Sequence, residues 1–398
     1  MKKIKVGILG YGTVGSGTHE ILTKNHDLIQ KRTGVSVEVV RILRRKPSDS
    51  HLFTDDPDVI LNDPDIDLIV EVIGGIEPAT SFMLTAMKNG KHVVTANKAA
   101  VAANYKALTE TAEENGVDFL FEAAVAGGIP VLTAIQNPLQ GNNFLEVMGI
   151  LNGTTNYILT KMTEDGASYA DVLKDAQEKG FAEADPTADV EGYDACRKIA
   201  ILTSLAYGQQ VDYEDIYTEG ITKITAEDFK YAKALGAAIK IFGTSRKEGN
   251  KLYAMVAPQM IQADNPLYAV NDVFNAIFVR GNMLGDAMFY GSGAGKLPTA
   301  SAVVADMVEI AKHIHTNIFV EWSSKKQQLV DYKQASSRFF VRTNADEQAV
   351  KAVFGDVEFV HAEGVTGELG FVTAEMTEAE YEKKAEQLGS ILQMIRVK

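Results

Sequence analysis

Ile4-Lys5-Val6-Gly7-Ile8-Leu9-Gly10-Tyr11-Gly12-Thr13-Val14-Gly15 reads as an apolar strand, a glycine turn and the opening of a helix. Each glycine answers a different physical demand. Gly10 permits the tight turn, Gly12 lets a pyrophosphate approach the backbone, and Gly15 lets helix and strand pack closely. The helix beginning at Thr13 and Val14 offers unpaired N–H groups and a positive dipole end to phosphate. The spacing alone is weak, because any strand-turn-helix favours glycine. Here it follows the first strand of a βαβ unit, so it predicts dinucleotide binding through Gly10, Gly12, Thr13, Val14 and Gly15.

Working outward, apolar runs at Ile4–Leu9, Val35–Leu43, Asp67–Ile73, His92–Thr95 and Asp118–Phe121 alternate with amphipathic runs at Val14–Lys31, Pro78–Asn89 and Ala99–Asn115. Alternation of this kind predicts a parallel sheet covered on both faces. Right-handed crossovers make it a doubly wound, Rossmann-type α/β domain over residues 1–135, completed by a helix near 299–315. Residues 136–320 predict a second, α+β domain. Its strands are expected around Glu146–Leu151, Ala237–Thr244, Lys251–Met260 and Ala276–Arg280, and its helices around Tyr157–Glu164, Ser168–Lys179 and Ala188–Tyr207. Residues 337–398 look separate and read β-α-β-β-α-β, a small ferredoxin-like unit.

Composition narrows the function. Hydrophobic residues at 46% and charged residues at 23% exclude disorder as a description of the whole chain. A net charge of -14 makes a poor general binder of nucleic acid or anionic membrane and leaves room for a local basic pocket that takes a small anion. No run approaches the roughly 20 apolar residues that span a bilayer. Met1-Lys2-Lys3 leads into a short run broken by Lys5, which is no export signal. The lone cysteine, Cys196, excludes an intrachain disulfide framework and fits a reducing compartment. A soluble, cytoplasmic protein is expected. His313 and His315 stand two apart on an expected helix and point in different directions, which speaks against a transition-metal site.

The second strand ends in Arg44-Arg45-Lys46 rather than in an acid. An acid there would grip the ribose 2′-hydroxyl of NAD, whereas a basic residue accommodates the 2′-phosphate of NADP. Arg44 and Arg45 therefore favour NADP(H) and leave NAD(H) open; a solvated basic loop would read the same way. Thr95-Ala96-Asn97-Lys98 closes the strand His92–Thr95. Ligands of open parallel sheets bind at the carboxyl ends of strands, so Thr95 and Lys98 face the expected cleft. Asp194 and Lys198, at i and i+4, share the helix face that Leu202 and Leu205 continue. Charged groups aligned with an apolar stripe are costly unless paired or used.

Ala176 to Lys198 then becomes specific. It resembles the homoserine dehydrogenase signature at Ala176, Gly180, Phe181, Ala182, Asp185, Pro186, Asp189, Val190, Gly192, Asp194 and Lys198. Gly10–Gly15, Thr95–Lys98, Asn152-Gly153-Thr154-Thr155-Asn156 and Gly285–Gly291 are similar too, and the resemblance runs over about residues 1–320. It implies reversible reduction of L-aspartate 4-semialdehyde to L-homoserine by NAD(P)H, in threonine and methionine biosynthesis. Lys198 resembles the family's general acid/base, and Lys98 its partner near the reacting oxygen and the nicotinamide. Asp194 resembles a residue that binds substrate and orients the lysine, and Glu183 the carboxylate that holds the substrate's amino group. Gly180 matches a backbone contact near cofactor and substrate, and Gly295 a glycine that lets the backbone approach the cofactor. Glu122, Val125, Gly127 and Ile129 occupy the positions of a monovalent-cation site, usually sodium; a glycine-rich turn that binds nothing reads equally well. The resemblance also implies a homodimer built through the second domain.

The C-terminal unit resembles an ACT domain in element order. Its first loop, Thr343–Glu347, lacks the glycine-bearing turn of a ligand-binding member. A reduced ACT-like domain is expected, with packing or dimerisation at least as good a role as threonine sensing. Two other functions stay open on the residues alone. One is a reductase of a related amino-acid aldehyde. The other is a non-catalytic nucleotide and amino-acid sensor, for which two lysines and two carboxylates would be superfluous.

Overall fold

The computed structural model describes residues 2–46, 50–313, 316–318 and 320–398. His315 and the end of the helix expected near 299–315 lie outside the described residues.

The first run of elements is β1 (Lys2–Leu9), α1 (Thr13–Lys24), α2 (His26–Thr33), β2 (Val35–Leu43), β3 (Phe53–Thr54), α3 (Asp58–Leu61), β4 (Leu68–Glu71), α4 (Ala79–Lys88), β5 (His92–Thr95), α5 (Lys98–Asn115), β6 (Phe119–Leu120) and α6 (Val131–Gln136). Next come β7 (Phe144–Ile150), α7 (Gly153–Asp165), α8 (Tyr169–Glu178), α9 (Thr187–Val190), α10 (Tyr193–Tyr207), β8 (Gln209–Gln210), β9 (Tyr217–Thr218), α11 (Ala226–Ala234), β10 (Ala237–Glu248), β11 (Lys251–Gln262), β12 (Phe274–Gly281), β13 (Gly285–Ser292), α12 (Lys296–His313) and β14 (Ser323–Lys326). The last run is β15 (Ser336–Thr343), α13 (Glu347–Phe354), β16 (Glu358–Val360), β17 (Leu369–Val372), β18 (Met376–Thr377), α14 (Glu378–Leu388) and β19 (Ile391–Val397).

Two compact units result. One comprises Met1–Asn142, Ala200–Asp212 and Phe289–Gln327; the other comprises Asn143–Ile199, Tyr213–Met288 and Gln328–Lys398. The first holds a six-stranded parallel sheet in the order β3-β2-β1-β4-β5-β6. The order reverses between β1 and β4, which is where a doubly wound sheet opens a crevice at its carboxyl ends. Ile4, Val6 and Ile8 of β1 and Leu68 and Val70 of β4 are buried in its core, and α12 adds Val303, Met307 and Ile310. Gly17 of α1 makes room for α12: a Cβ there would lie 2.7 Å from the Lys296 carbonyl.

The second unit is built on a mixed sheet, β13-β12-β7-β10-β11-β19-β15-β17-β16. Residues 336–397 give the expected β-α-β-β-α-β order, with β18 as an added short pairing on β15. Its four main strands continue the larger sheet, because β19 runs parallel to β11 at Gln259↔Arg396 and Met260↔Val397. Phe339, Val341, Val350 and Phe371 form its own apolar core.

Two expected helices are each broken in two, and one helix is new. The long helix Val14–Lys31 is two helices that meet at Asn25, whose backbone is not helical; asparagine competes for local hydrogen bonds and favours such ends. The helix Ala188–Tyr207 breaks at Gly192, where φ is 82° and a Cβ would sit 3.1 Å from Val256 and 3.2 Å from Thr218. Helix α11 was not expected; Thr225 and Asp228 start it with a reciprocal capping box.

Candidate active site

The cofactor cradle follows from packing at three glycines. A Cβ on Gly10 would lie 2.8 Å from the Val72 carbonyl, and one on Gly15 2.1 Å from the Gly10 carbonyl, so the chain's own backbone demands both. A Cβ on Gly12 would meet nothing within 4 Å, so that glycine keeps space open toward solvent. Helix α1 starts at Thr13 with no side-chain cap and no acid in its first turn. Its leading N–H groups are therefore available to an anion. Gly10, Gly12, Arg44, Arg45 and Ile73 line one cavity of about 770 Å³. The half-buried Arg44 guanidinium lies 5.1 Å from the Phe53 ring centroid and 6.0 Å from that of Tyr11, while Arg45 is exposed. Stacking of that kind holds a guanidinium in place beside a ligand.

Glu71 was not singled out from sequence. It ends β4, is fully buried, and faces Thr95 across the β4–β5 pairing. Its Oε1 accepts from the Ile73 and Gly74 N–H groups at 2.7 and 3.3 Å, and its Oε2 accepts from the Thr95 hydroxyl at 2.6 Å. Thr95 Oγ1 in turn accepts from Asn97 N, and Asn97 caps α5 by accepting from Ala100 N at 3.1 Å. Lys98, half-buried, is the first residue of that capped helix. Gly295 precedes α12 with φ 118°, and its carbonyl accepts from Thr299 N.

Asp194 and Lys198 belong to the second unit. Both are buried, and Lys198 Nζ lies 2.6 Å from Asp194 Oδ2. Lys198 Nζ also donates to the Leu151 carbonyl at 2.7 Å. Asn152 completes the group: its Nδ2 donates to Asp189 Oδ1 at 2.7 Å and to Asp194 Oδ2 at 3.0 Å. Its Oδ1 caps α7 by accepting from Thr155 N at 2.9 Å. The buried Lys198 ammonium, Asp194 carboxylate and Leu151 carbonyl thus share one hydrogen-bonded network that reaches the half-buried Asp189, the condition under which buried charge is tolerated. Asn152 and Asp189 stand in the sequence motifs, but the contacts that give them a role come from distant chain.

Gly180 and Glu183 lie on the loop after α8. Gly180 takes φ 75°, and the loop folds back through bonds from Phe181 N and Ala182 N to the Ala176 carbonyl. Glu183 is exposed, and among the described residues no side chain pairs with its carboxylate.

Glu122, Val125, Gly127 and Ile129 share one turn of the first unit, where Ala126 and Gly127 both take positive φ. A Cβ on Gly127 would lie 2.5 Å from the Gly293 carbonyl. The buried Glu122 carboxylate accepts from Leu132 N at 2.9 Å and Thr133 N at 2.6 Å, so both its oxygens cap α6. Burial pushes its carboxyl above the ordinary range, against the pull of those bonds. Among the described residues no three His, Cys, Asp or Glu side chains gather as a metal site.

Comparison with known proteins adds to this geometry. The family model described as homoserine dehydrogenase matches residues 130–308, and the one described as its NAD binding domain matches residues 10–122. The Bacillus subtilis homoserine dehydrogenase is 43% identical over 325 residues, 80% of this chain and 75% of that one. The Mycobacterium tuberculosis homoserine dehydrogenase is 42% identical over 390 residues, 93% of this chain and 88% of that one. Among solved structures, a homoserine dehydrogenase from Thiobacillus denitrificans superposes with a TM-score of 0.92 at 35% identity, covering 100% of this chain and 99% of that one. A hyperthermophilic archaeal homoserine dehydrogenase in complex with NADPH superposes with a TM-score of 0.65 at 27% identity, over 77% of this chain and 97% of that one.

Proposed function

The chain belongs to the homoserine dehydrogenase family and is an oxidoreductase of that kind, and from this premise we propose that Lys198 is its general acid/base, with L-aspartate 4-semialdehyde and L-homoserine as the substrate pair. The observation that carries the reading is the buried contact of Lys198 with Asp194 and the Leu151 carbonyl. When bound, the reduced nicotinamide supplies the hydride. Negative charge then grows on the aldehyde oxygen, where the Lys198 ammonium stabilises it and delivers a proton. Asp194 and Asn152 fix the direction of that ammonium. Lys98, at the start of α5, is the second ammonium of the reaction. The exposed Glu183 carboxylate suits the substrate's amino group through a charge-assisted hydrogen bond, with Gly180 supplying backbone beside it.

NADP(H) is the proposed cofactor, on the strength of Arg44 and Arg45 at the cavity beside Gly12 and of the NADPH-bound archaeal relative; NAD(H) is the alternative. The Glu122 carboxylate with backbone carbonyls of the turn at Val125, Gly127 and Ile129 would offer Na+ hard oxygen ligands; a turn that binds nothing is the alternative. Each Glu122 carboxylate oxygen accepts one N–H at the start of α6, which leaves a lone pair on each for a cation. A homodimer is proposed through β13, the terminal strand of its sheet. Met283, in the turn before β13, is 82% exposed and Tyr290 of β13 54%, apolar surface of the kind that a second copy covers. The cytoplasm is the proposed place of action; it suits the buried thiol of Cys196. No helix among the described residues is long and apolar enough to cross a membrane.

The experiment mixes the protein with L-homoserine and NADP+ or NAD+ and follows nicotinamide absorbance, with Lys198→Ala in parallel. Turnover is expected, and its loss by about 10²–10⁴-fold in the variant supports the acid/base role. A fully active Lys198→Ala enzyme overturns it.

A further inference from the structure

Lys240 stands in the middle of β10 and is 2% exposed. Among the described residues no carboxylate lies within ion-pair distance of its ammonium. Its Nζ donates instead to three oxygens: the Val270 carbonyl at 2.7 Å, Asn271 Oδ1 at 2.8 Å and Asn156 Oδ1 at 3.2 Å. Burying an ammonium against neutral acceptors alone is costly. Burial lowers its pKa to about 8, against the pull of Asp272 and Glu164. A methionine or leucine would fill the same volume at less cost, so what the ammonium holds together calls for an explanation.

It holds two segments. One is the loop before β12. Asn156 Nδ2 donates to the Val270 and Phe274 carbonyls, both at 3.1 Å, and Asp272 N donates to Thr160 Oγ1 at 3.1 Å. The other is the first turn of α7, where Asn156 N donates to the Asn152 carbonyl at 3.2 Å. The loop presses on that same turn: a Cβ on Gly153 would lie 2.7 Å from the Val273 carbonyl. Asn152, one turn before Asn156, is the residue that binds Asp189 and Asp194. Three acceptors converge on Lys240, one for each N–H of an ammonium.

We infer that Lys240 is a positioning residue for the Asp194–Lys198 pair, acting through the first turn of α7. Its ammonium locks the loop 270–274 against Asn156 and so sets the place and direction of Asn152. Asn152 then holds the Asp194 carboxylate where Lys198 needs it. The inference rests on the acid/base reading of Lys198 given above. It assigns Lys240 no contact with substrate.

The test compares Lys240→Met, which keeps chain length and loses every donor, with wild type and Lys198→Ala in homoserine oxidation. Folded protein is counted by NADPH-binding stoichiometry and near-ultraviolet circular dichroism. Per folded site, kcat is expected to fall about ten- to a hundredfold with a smaller change in KM, since misplacement of about an ångström costs that much. The solvent deuterium isotope effect on kcat is expected to rise, because proton transfer from the substrate hydroxyl to a misdirected lysine becomes limiting. A merely structural role would lower the number of folded sites and leave both readings per site unchanged, and that result overturns the inference. Should Lys240→Met fail to fold, Asn271→Ala decides: it removes one exposed acceptor and is expected to raise the isotope effect with a smaller loss of kcat, and wild-type values overturn the inference. A dead Lys198→Ala beside a normal Lys240→Met defeats this inference alone, whereas an active Lys198→Ala defeats the acid/base reading beneath it.

Discussion

Glu71 and Thr95 are hydrogen-bonded at 2.6 Å across the carboxyl ends of two neighbouring parallel strands, where the backbone turns toward the cofactor cavity. The carboxylate also ties down the Ile73 and Gly74 N–H groups, so one buried acid fixes the loop that borders Gly10. Glu71→Gln replaces an acceptor by an amide N–H facing donors. NADPH binding is expected to weaken by about 1.5–3 kcal/mol. Thr95→Val should weaken it too, and the double variant by less than the sum, as for residues in one network. Fluorescence titration of NADPH measures all three, and additive losses would separate the two side chains.

Arg44 and Arg45 set the expected cofactor choice. Replacing Arg44 by Ala should lower kcat/KM for NADP+ by about ten- to a hundredfold, the worth of a charge-assisted bond to phosphate, with little change for NAD+. Arg45→Ala, on an exposed side chain, should act in the same direction and less. Equal losses with both cofactors would place these arginines outside 2′-phosphate recognition.

Asp306 gives the first unit a pH dependence. It is fully buried beside Glu122, whose N–H it accepts at 2.8 Å. Burial, and then the Glu122 charge, raise its carboxyl well above the ordinary value. A raised carboxyl means that the folded state holds its proton longer than the unfolded state. Stability is therefore full below the ordinary carboxylate range and declines as pH rises toward the folded-state pKa. Asp306→Asn removes that decline. Above the ordinary carboxylate range its melting temperature should gain on wild type with each upward step in pH until the folded-state pKa is passed. Parallel melting curves would refute this.

Arg342 reaches from the C-terminal module to α11. It is bidentate to Glu368 at 2.8 and 2.9 Å, and donates to Asp228 Oδ1 and Thr225 Oγ1, both at 2.8 Å. Asp228 is fully buried. Arg342→Ala strands that carboxylate and should destabilise the protein by about 3–5 kcal/mol in urea unfolding. Arg342→Ala combined with Asp228→Asn should recover part of the loss.

The legible parts were those whose cause is local in sequence. Gly10 to Gly15 give a turn, a cradle and a helix start within six residues, and the Asp194–Lys198 pair falls on one face by helical spacing alone. Residues held by distant chain stayed hidden. Glu71 looks like the end of an apolar strand until Thr95 is laid beside it. Lys240 sits inside an apolar run, and its three acceptors come from α7 and from a loop some thirty residues on. Gly192 breaks a well-patterned helix because Thr218 and Val256 crowd it from other strands. The Glu122 carboxylate matches a cation ligand in type, and only the fold reveals that each of its oxygens also accepts an N–H at the start of α6.

Where β19 joins β11, the sheet continues across just two residue pairs, reinforced by Arg396, which bonds Glu378 and reaches Glu219 at 2.9 Å. A protein shortened before Ser336 would therefore not be the same catalyst without an appendix. It would carry a raw strand edge at Gln259 and Met260 and two acids, Glu219 and Asp228, stripped of their arginines. Such an edge recruits other chains. Clumping, rather than freedom from control, is the fate that this architecture assigns to the trimmed form.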